Sequence, residues 1–449
     1  MIKNFIEVNK EAILRDLGIL VSHDSVYAED AEPFGKENRA VLDDALLLMK
    51  ENGLRVKNLD YYCGYGEVGE GDKVIGILAH LDIVPAGDGW DSDPFLLTAK
   101  DDKVYGRGVS DDKGAVIASL YALKYLIESG YKFKNRVRLI TGCNEETGSR
   151  CIAHYVKEEG DCDMAFTPDA NFPGIFAEKG MCGGYIIAKS DKIIAIEGGT
   201  VSNVVCKEVH ATVKKDSFDI EAFKAYFKEN DLEVKVLEAD DIDITVYGKA
   251  AHASMPELGI NAIQHLFKGF YVAKMQDPLV DYMHEKFDLD VHGSLIGCDV
   301  LKDEYTDLTL NLGVIKKVAD EIRISVDIRF PVTRKTKEVS SIVVSGLLSD
   351  VAQFACSSLV EPLFFDKESP MCKALRNAYI KVTGDEKTQM EAIGGGTYAK
   401  AMKNCVAFGC EFLGEDNHIH DANESLKLES LYKQIEIYIE AIKNLDEVV

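Results

Sequence analysis

Residues 73–146 restrict the fold more than any other part of this 449-residue chain. A short apolar run, 74–78, stops just short of His80 and Asp82, and a second, 137–140, stops just before Glu145 and Glu146. Both read as buried strands. Between them Val116, Leu120, Leu123 and Ile127 recur at helical spacing, and Gly130 follows as a stop. That pattern predicts a helix over 114–129. Strand, helix and strand make a βαβ unit. In open α/β sheets ligands bind beyond the carboxyl ends of the strands. His80, Asp111 (in Gly108-Val109-Ser110-Asp111-Asp112-Lys113-Gly114) and the pair Glu145-Glu146 would all be delivered to that edge.

The rest of the chain extends this pattern and then interrupts it. Helices are expected over 3–22 and 38–51, then a strand and a turn at 69–72, a loop at 88–95 with the only tryptophan, Trp90, and a helix over 146–158. A short strand at 163–169 ends in Asp169. After about residue 185 the spacing shortens: helix 220–229, strand 243–247, helix 260–273, strand 322–330. From 373 the earlier pattern returns with a helix to 382, the turn Gly394-Gly395-Gly396-Thr397, a strand at 406–408 and a helix over 426–445. The fold class is therefore α/β: a mixed, mainly parallel sheet sandwiched by helices, built from 1–185 and 366–449. An α+β domain, 186–365, is inserted into it.

Composition narrows the function. The net charge is −25, and both nucleic acid and anionic membranes require a basic face. No apolar run approaches the roughly 20 residues of a membrane span. The first residues lack the apolar core of a signal peptide, so a cytoplasmic protein is expected. The 11 cysteines are scattered without a Cys-x-x-Cys pair and read as reduced, buried thiols. Cys143 has no base beside it and is not expected to be a nucleophile.

The polar residues at predicted strand ends are His80, Asp82, Asp111, Glu145, Glu146 and Asp169, with His418 and His420 near the end of the chain. Imidazole and carboxylate suit zinc, cobalt or manganese. Two divalent ions bring four positive charges; Asp111, Glu146 and Asp169 bring three negative, and a bridging anion would supply the fourth. Against 76 acidic residues a single Glu-Glu pair carries no information, but several candidates at strand ends do. His23, His154, His210, His265, His284 and His292 have no such setting.

Particular phrases carry a family resemblance. They are 76–85 around His80 and Asp82, 106–114 around Asp111, Glu145-Glu146-Thr147-Gly148-Ser149, Pro168-Asp169-Ala170, 248–256 around His252, 393–399 and His420-Asp421-Ala422-Asn423-Glu424. Together they resemble the zinc-dependent family of aminoacylases, glutamate carboxypeptidase and bacterial dipeptidases, with the PepV-like dipeptidases nearest in phrasing. The resemblance implies a zinc-exopeptidase-like catalytic domain with a lid. His80 and Asp169 would bind one zinc, Glu146 and His420 the other, and Asp111 both. Asp82 would orient His80, Glu145 would be the general base, and His252 an oxyanion donor. Arg329 and the turn Gly394, Gly395, Gly396 and Thr397 would hold the substrate's carboxylate, and Asn203 would be a further polar contact to the substrate. It also implies a small peptide as substrate, a functional monomer and hydrolysis of unblocked dipeptides. The alternative is a deacylase acting on N-acyl amino acids.

Overall fold

The computed structural model describes residues 1–449, which form two compact units. The first is Met1–Ala177, Phe365–Glu391 and Gly396–Val449; the second is Glu178–Phe364 with Ala392–Gly395. The first division falls ahead of the expected 185/186 boundary. Gly180–Ala188 is one strand, paired along its length with Glu321–Phe330 of the second unit.

In the first unit the sheet runs Arg55–Leu59, Cys63–Val68, Arg136–Gly142, Val74–His80, Met164–Thr167, Cys405–Ala407, Ile175–Glu178. The pairings among Arg136–Gly142, Val74–His80, Met164–Thr167 and Cys405–Ala407 are parallel, and those outside them are antiparallel. Ile75, Ile77, Leu78 and Ala79 are completely buried, as are Val137, Leu139 and Ile140. Strands buried this continuously need cover on both faces, which is why the sequence shows apolar runs there rather than alternation. Helix Leu428–Val448 packs against Lys113–Glu128 and Pro370–Thr383 and, with Lys113–Glu128, against the sheet, and Lys36–Glu51 and Arg150–Glu159 pack on the hairpin end.

Three local expectations change. The helix expected from 146 begins at Arg150, because Gly148 (φ 125°) and Ser149 (φ 56°) are left-handed and cannot continue it backwards. Glu145 and Glu146 therefore sit on a loop. The single strand expected before the 69–72 turn is a hairpin, Arg55–Leu59 with Cys63–Val68, turned by Asp60 and Tyr61 at φ 53° and 60°. It lacks the Asn-Gly signal of such turns. The last helix starts at Leu428 because Ser425–Lys427 is a strand paired with Lys103–Tyr105.

The second unit is an antiparallel sheet in the order Val234–Glu238, Asp241–Tyr247, Glu208–Lys214, Ile193–Gly198, Thr309–Val318, Glu321–Phe330, Gly180–Ala188, Ala352–Val360. Helices Ile220–Glu229, Ala262–Val272 and Pro278–Lys286 bring Phe223, Phe227, Phe267, Phe270 and Met283 into its core. Asp219, Asn261 and Asp277 cap them, the first two side chains accepting two backbone N–H groups each and Asp277 one. No helix is long and apolar enough to cross a membrane. Every cysteine is a free thiol, and all but Cys356 are buried. Burial pushes the Cys143 thiol well above its usual range, which fits an inert residue.

Candidate metal centre and active site

The parallel strands of the first unit end at one cluster. His80 closes Val74–His80 and is completely buried. Glu145 and Glu146 follow Arg136–Gly142, Asp169 follows Met164–Thr167, and Asp111 stands at the entry to the helix Lys113–Glu128. Asp111 is the hub. Its Oδ1 lies 2.9 Å from His80 Nε2, and its Oδ2 lies 2.9 Å from His420 Nε2. The same His420 nitrogen is 3.2 Å from Glu146 Oε1. His80, Asp111 and Glu146 each offer a ligand atom within 4.8 Å of the others'. Of the two late histidines, the structure brings in His420; the His418 ring instead approaches Asp416, at 3.8 Å.

The charges in this cluster are out of balance. Burial pushes the Asp169 carboxyl well above the usual range, and the Asp111 charge adds to that. Burial pushes Glu145 up to about 7; His80 opposes this, while Glu146, Asp82 and Asp111 reinforce it. Asp111 itself is held low: burial works against its charge, but hydrogen bonds from His420 and His80 outweigh it. His80 titrates well above its usual range, since its bond to Asp111 overcomes burial. Crowded carboxylates that cannot all ionise are what a site for cations looks like without them. Two imidazoles with several carboxylates form a nitrogen–oxygen donor set that fits zinc, cobalt or manganese.

The loops carrying these residues are fixed by buried acids. The Asp82 carboxylate accepts the backbone N–H groups of Glu145 (3.0 Å) and Glu146 (3.1 Å). It lies 3.7 Å from His80 Nδ1, which instead donates to the Asp82 backbone carbonyl at 3.0 Å. Asp82 thus orients His80 through its main chain, while its side chain holds the glutamate loop. Two further contributors, Asp112 and Glu424, stand in phrases already singled out, but nothing local shows which partners they bond. Asp112 accepts the His80 backbone N–H at 3.2 Å. Glu424 accepts from Arg107, Gly108, Ser110 and Asp111. Both are side chains that bond main chain far away in sequence, and only a folded chain reveals such partners.

In the second unit the structure brings His252 beside Asn203. Val204 and His252 form an isolated bridge, and the Ala253 N–H donates to the Asn203 carbonyl at 2.8 Å. His252 Nδ1 lies 2.7 Å from Ser254 Oγ. Burial, then the Arg329 charge, lowers the His252 pKa. Arg329 is almost completely buried; its Nε donates to Asp327 Oδ1 (3.2 Å) and its Nη1 to the Gly394 carbonyl (2.9 Å). The glycine turn therefore presents a carbonyl to the guanidinium at this position. Gly394 and Gly395 belong to the second unit, Gly396 and Thr397 to the first. The Thr397 side chain accepts the Ala399 N–H.

A sheet whose parallel strands lead to His80, Glu145, Glu146 and Asp169, met by Asp111 and the loop residue His420, with a separate antiparallel unit inserted, defines an α/β metallohydrolase. The chain belongs to peptidase family M20/M25/M40, whose profile matches residues 76–444. It is 32% identical over 455 residues to the Bacillus subtilis protein named "Putative dipeptidase YtjP", covering 97% of each chain. Among solved structures it resembles human carnosine dipeptidase 1 (TM-score 0.60, 16% identity, 100% and 98% of the two chains). It also resembles Bacillus subtilis YXEP, described as a dinuclear metal binding peptidase from the M20 family (TM-score 0.54, 11% identity, 99% and 100%). At these identities the structural likenesses speak for the fold.

Proposed function

We propose that the protein is a metal-dependent dipeptidase acting on unblocked dipeptides, with Glu145 as general base. His80, Asp111, Glu146, Asp169 and His420 would hold two zinc ions, or cobalt or manganese in their place. The observation that carries this reading is the Asp111 carboxylate, whose two oxygens each face a different imidazole. A bridging ligand needs that disposition. Bound divalent cations would supply Lewis acidity and make a water acidic enough to ionise near neutral pH.

The protein's own groups do the rest. Glu145 stands on a loop whose N–H groups are tied to Asp82, so its carboxylate is held in place. It accepts the proton of the attacking water and passes it to the leaving amine nitrogen. Burial pushes Glu145 up to about 7, and divalent cations held by the neighbouring residues would favour its ionised form, the state a base needs. In this reading His252 donates to the developing oxyanion; its lowered pKa keeps the ring neutral at pH 7, with one N–H to give. Arg329 and the Gly394–Thr397 turn bind the substrate's α-carboxylate, which is how a dipeptidase measures length, and Asn203 adds a further polar contact. The protein acts as a monomer.

Arg329→Lys keeps the charge but loses the planar fork. It is expected to lower kcat/KM for free dipeptides about 10- to 100-fold. Dipeptide amides, already without the carboxylate, should change little. Equal losses on both substrates would remove Arg329 from carboxylate binding. The overall reading is tested by stripping the protein with chelator, restoring zinc, cobalt or manganese, and assaying dipeptides, tripeptides and N-acetyl amino acids. Restored cleavage confined to free dipeptides supports it. Preference for the acetylated compounds would make the protein a deacylase.

A further inference from the structure

Asp111 and His420 are 309 residues apart in sequence, yet their side chains meet at 2.9 Å. Something must fix the loop carrying one against the loop carrying the other. The Glu424 carboxylate stands at that junction and is 1% exposed. Its Oε2 accepts Arg107 Nη1 (2.7 Å) and the Gly108 N–H (2.9 Å). Its Oε1 accepts the N–H groups of Ser110 (2.9 Å) and Asp111 (3.1 Å). One carboxylate thus gathers four donors from the stretch that presents Asp111. The Gly106 N–H donates to the Glu424 carbonyl, and Ser110 Oγ to the Ser425 carbonyl, stitching the two loops side by side. Arg107 is equally buried and lies over the Trp90 ring, 5.3 Å from its centroid.

The loop on the other side is strained. His418, His420 and Asn423 all have left-handed backbones, at φ 53°, 65° and 63°. Non-glycine residues in that region cost free energy and persist only where their surroundings hold them. Asn423 is held on the same side, its Oδ1 accepting the Asp91 N–H at 2.9 Å.

We propose that Glu424 and Arg107 form a positioning pair that sets the spacing between Asp111 and His420, and thereby the affinity of the centre for its second metal ion. This rests on the metal-centre reading above. Glu424 touches neither substrate nor metal in this scheme; it acts through the backbone of Asp111. Glutamine at 424 keeps the size but turns one acceptor oxygen into an NH₂ group that faces two donors. Either the Arg107–Gly108 side or the Ser110–Asp111 side must then let go.

The test is calorimetric zinc titration, with metal counted by elemental analysis, of wild type, E424Q, R107M and the double variant R107M/E424Q. The double variant removes both buried charges together, which spares the fold the unpaired charge left by either single change. R138M is the control: it breaks another buried cluster, in which Arg138 bonds Glu67 (2.6 Å) and Glu159 (2.9 Å), away from any proposed ligand. The expected result is a 10- to 100-fold weaker second zinc equivalent in E424Q and in the double variant. R138M should lose thermal stability and keep both equivalents. A double variant that titrates like wild type, or an R138M that loses metal equally, overturns the positioning role and leaves the functional reading standing. A wild type that takes up no metal overturns the functional reading first.

Discussion

Glu145→Gln should lower kcat on dipeptides by about 10²- to 10⁴-fold while metal content stays that of the wild type. The amide has the carboxylate's shape but cannot take a proton from water. Asp82 grips the backbone N–H of residue 145, not its side chain, so the loop should stay in place. The side chain is also a burden on the fold. Burial and its acidic neighbours push its pKa up to about 7, so in the metal-free protein at pH 8 it is ionised where ionisation is unfavourable. Metal-free E145Q should therefore melt above metal-free wild type at pH 8, the proposed base being a residue that costs stability. Steady-state kinetics with measured metal content checks the first half, and melting curves check the second. Activity within about tenfold of wild type would remove Glu145 from the role of base.

The metal-free protein should lose thermal stability as pH rises from 5 to 8, and bound zinc should offset that loss increasingly over the same range. The signs agree across the cluster. Asp82, pushed up to about 6 by burial, and Glu145, at about 7, have folded pKa values above their unfolded ones. Burial raises Asp112 and Asp169 in the same way. The folded state then holds protons that the unfolded state has released, so stability falls as pH climbs through the folded values. His420, raised to about 10 by its bonds to Asp111 and Glu146, and His80, also raised, contribute stability at low pH that fades as pH rises through their folded values. Asp111 is lowered, so its contribution is lost only at pH below its ordinary 3.8. Ligands must be deprotonated to bind a cation, so zinc stabilises more at pH 8 than at pH 5. At a thousandfold excess over Kd that stabilisation is about 4 kcal/mol. Melting temperatures with chelator and with zinc at pH 5, 6.5 and 8 check this; the difference between the two curves cancels charge effects elsewhere in the chain. A gap that stays constant or narrows with pH would show that these groups do not hold the metal.

Elements and candidate residues that follow from local pattern are legible in the sequence. The helix Ile220–Glu229 was expected within those bounds, and the strand Val74–His80 announced itself through an unbroken apolar run. His80, Asp111, Glu146 and Asp169 stood out because each follows a strand or opens a helix. Choosing His420 over His418 needed the family phrase first and the folded loop second. What stayed hidden was set by distant partners. The Asp60–Tyr61 turn carries no glycine to announce it. Asp82 bonds backbone at 145 and 146, and Glu424 bonds backbone more than three hundred residues earlier. Periodicity registers which face a residue occupies and is blind to which remote N–H it will meet.

The place of Cys405–Ala407 in the sheet bears on how the protein is made. That strand lies beside Met164–Thr167, a neighbour synthesised far earlier. At about 5–20 residues per second, the ribosome leaves this sheet edge unpaired for on the order of tens of seconds. The second unit, Glu178–Phe364 with Ala392–Gly395, emerges entirely within that interval. The inserted unit can thus be finished while its host still lacks a strand and the last of its proposed metal ligands. A nascent chain arrested before residue 405 would present an exposed strand edge to chaperones.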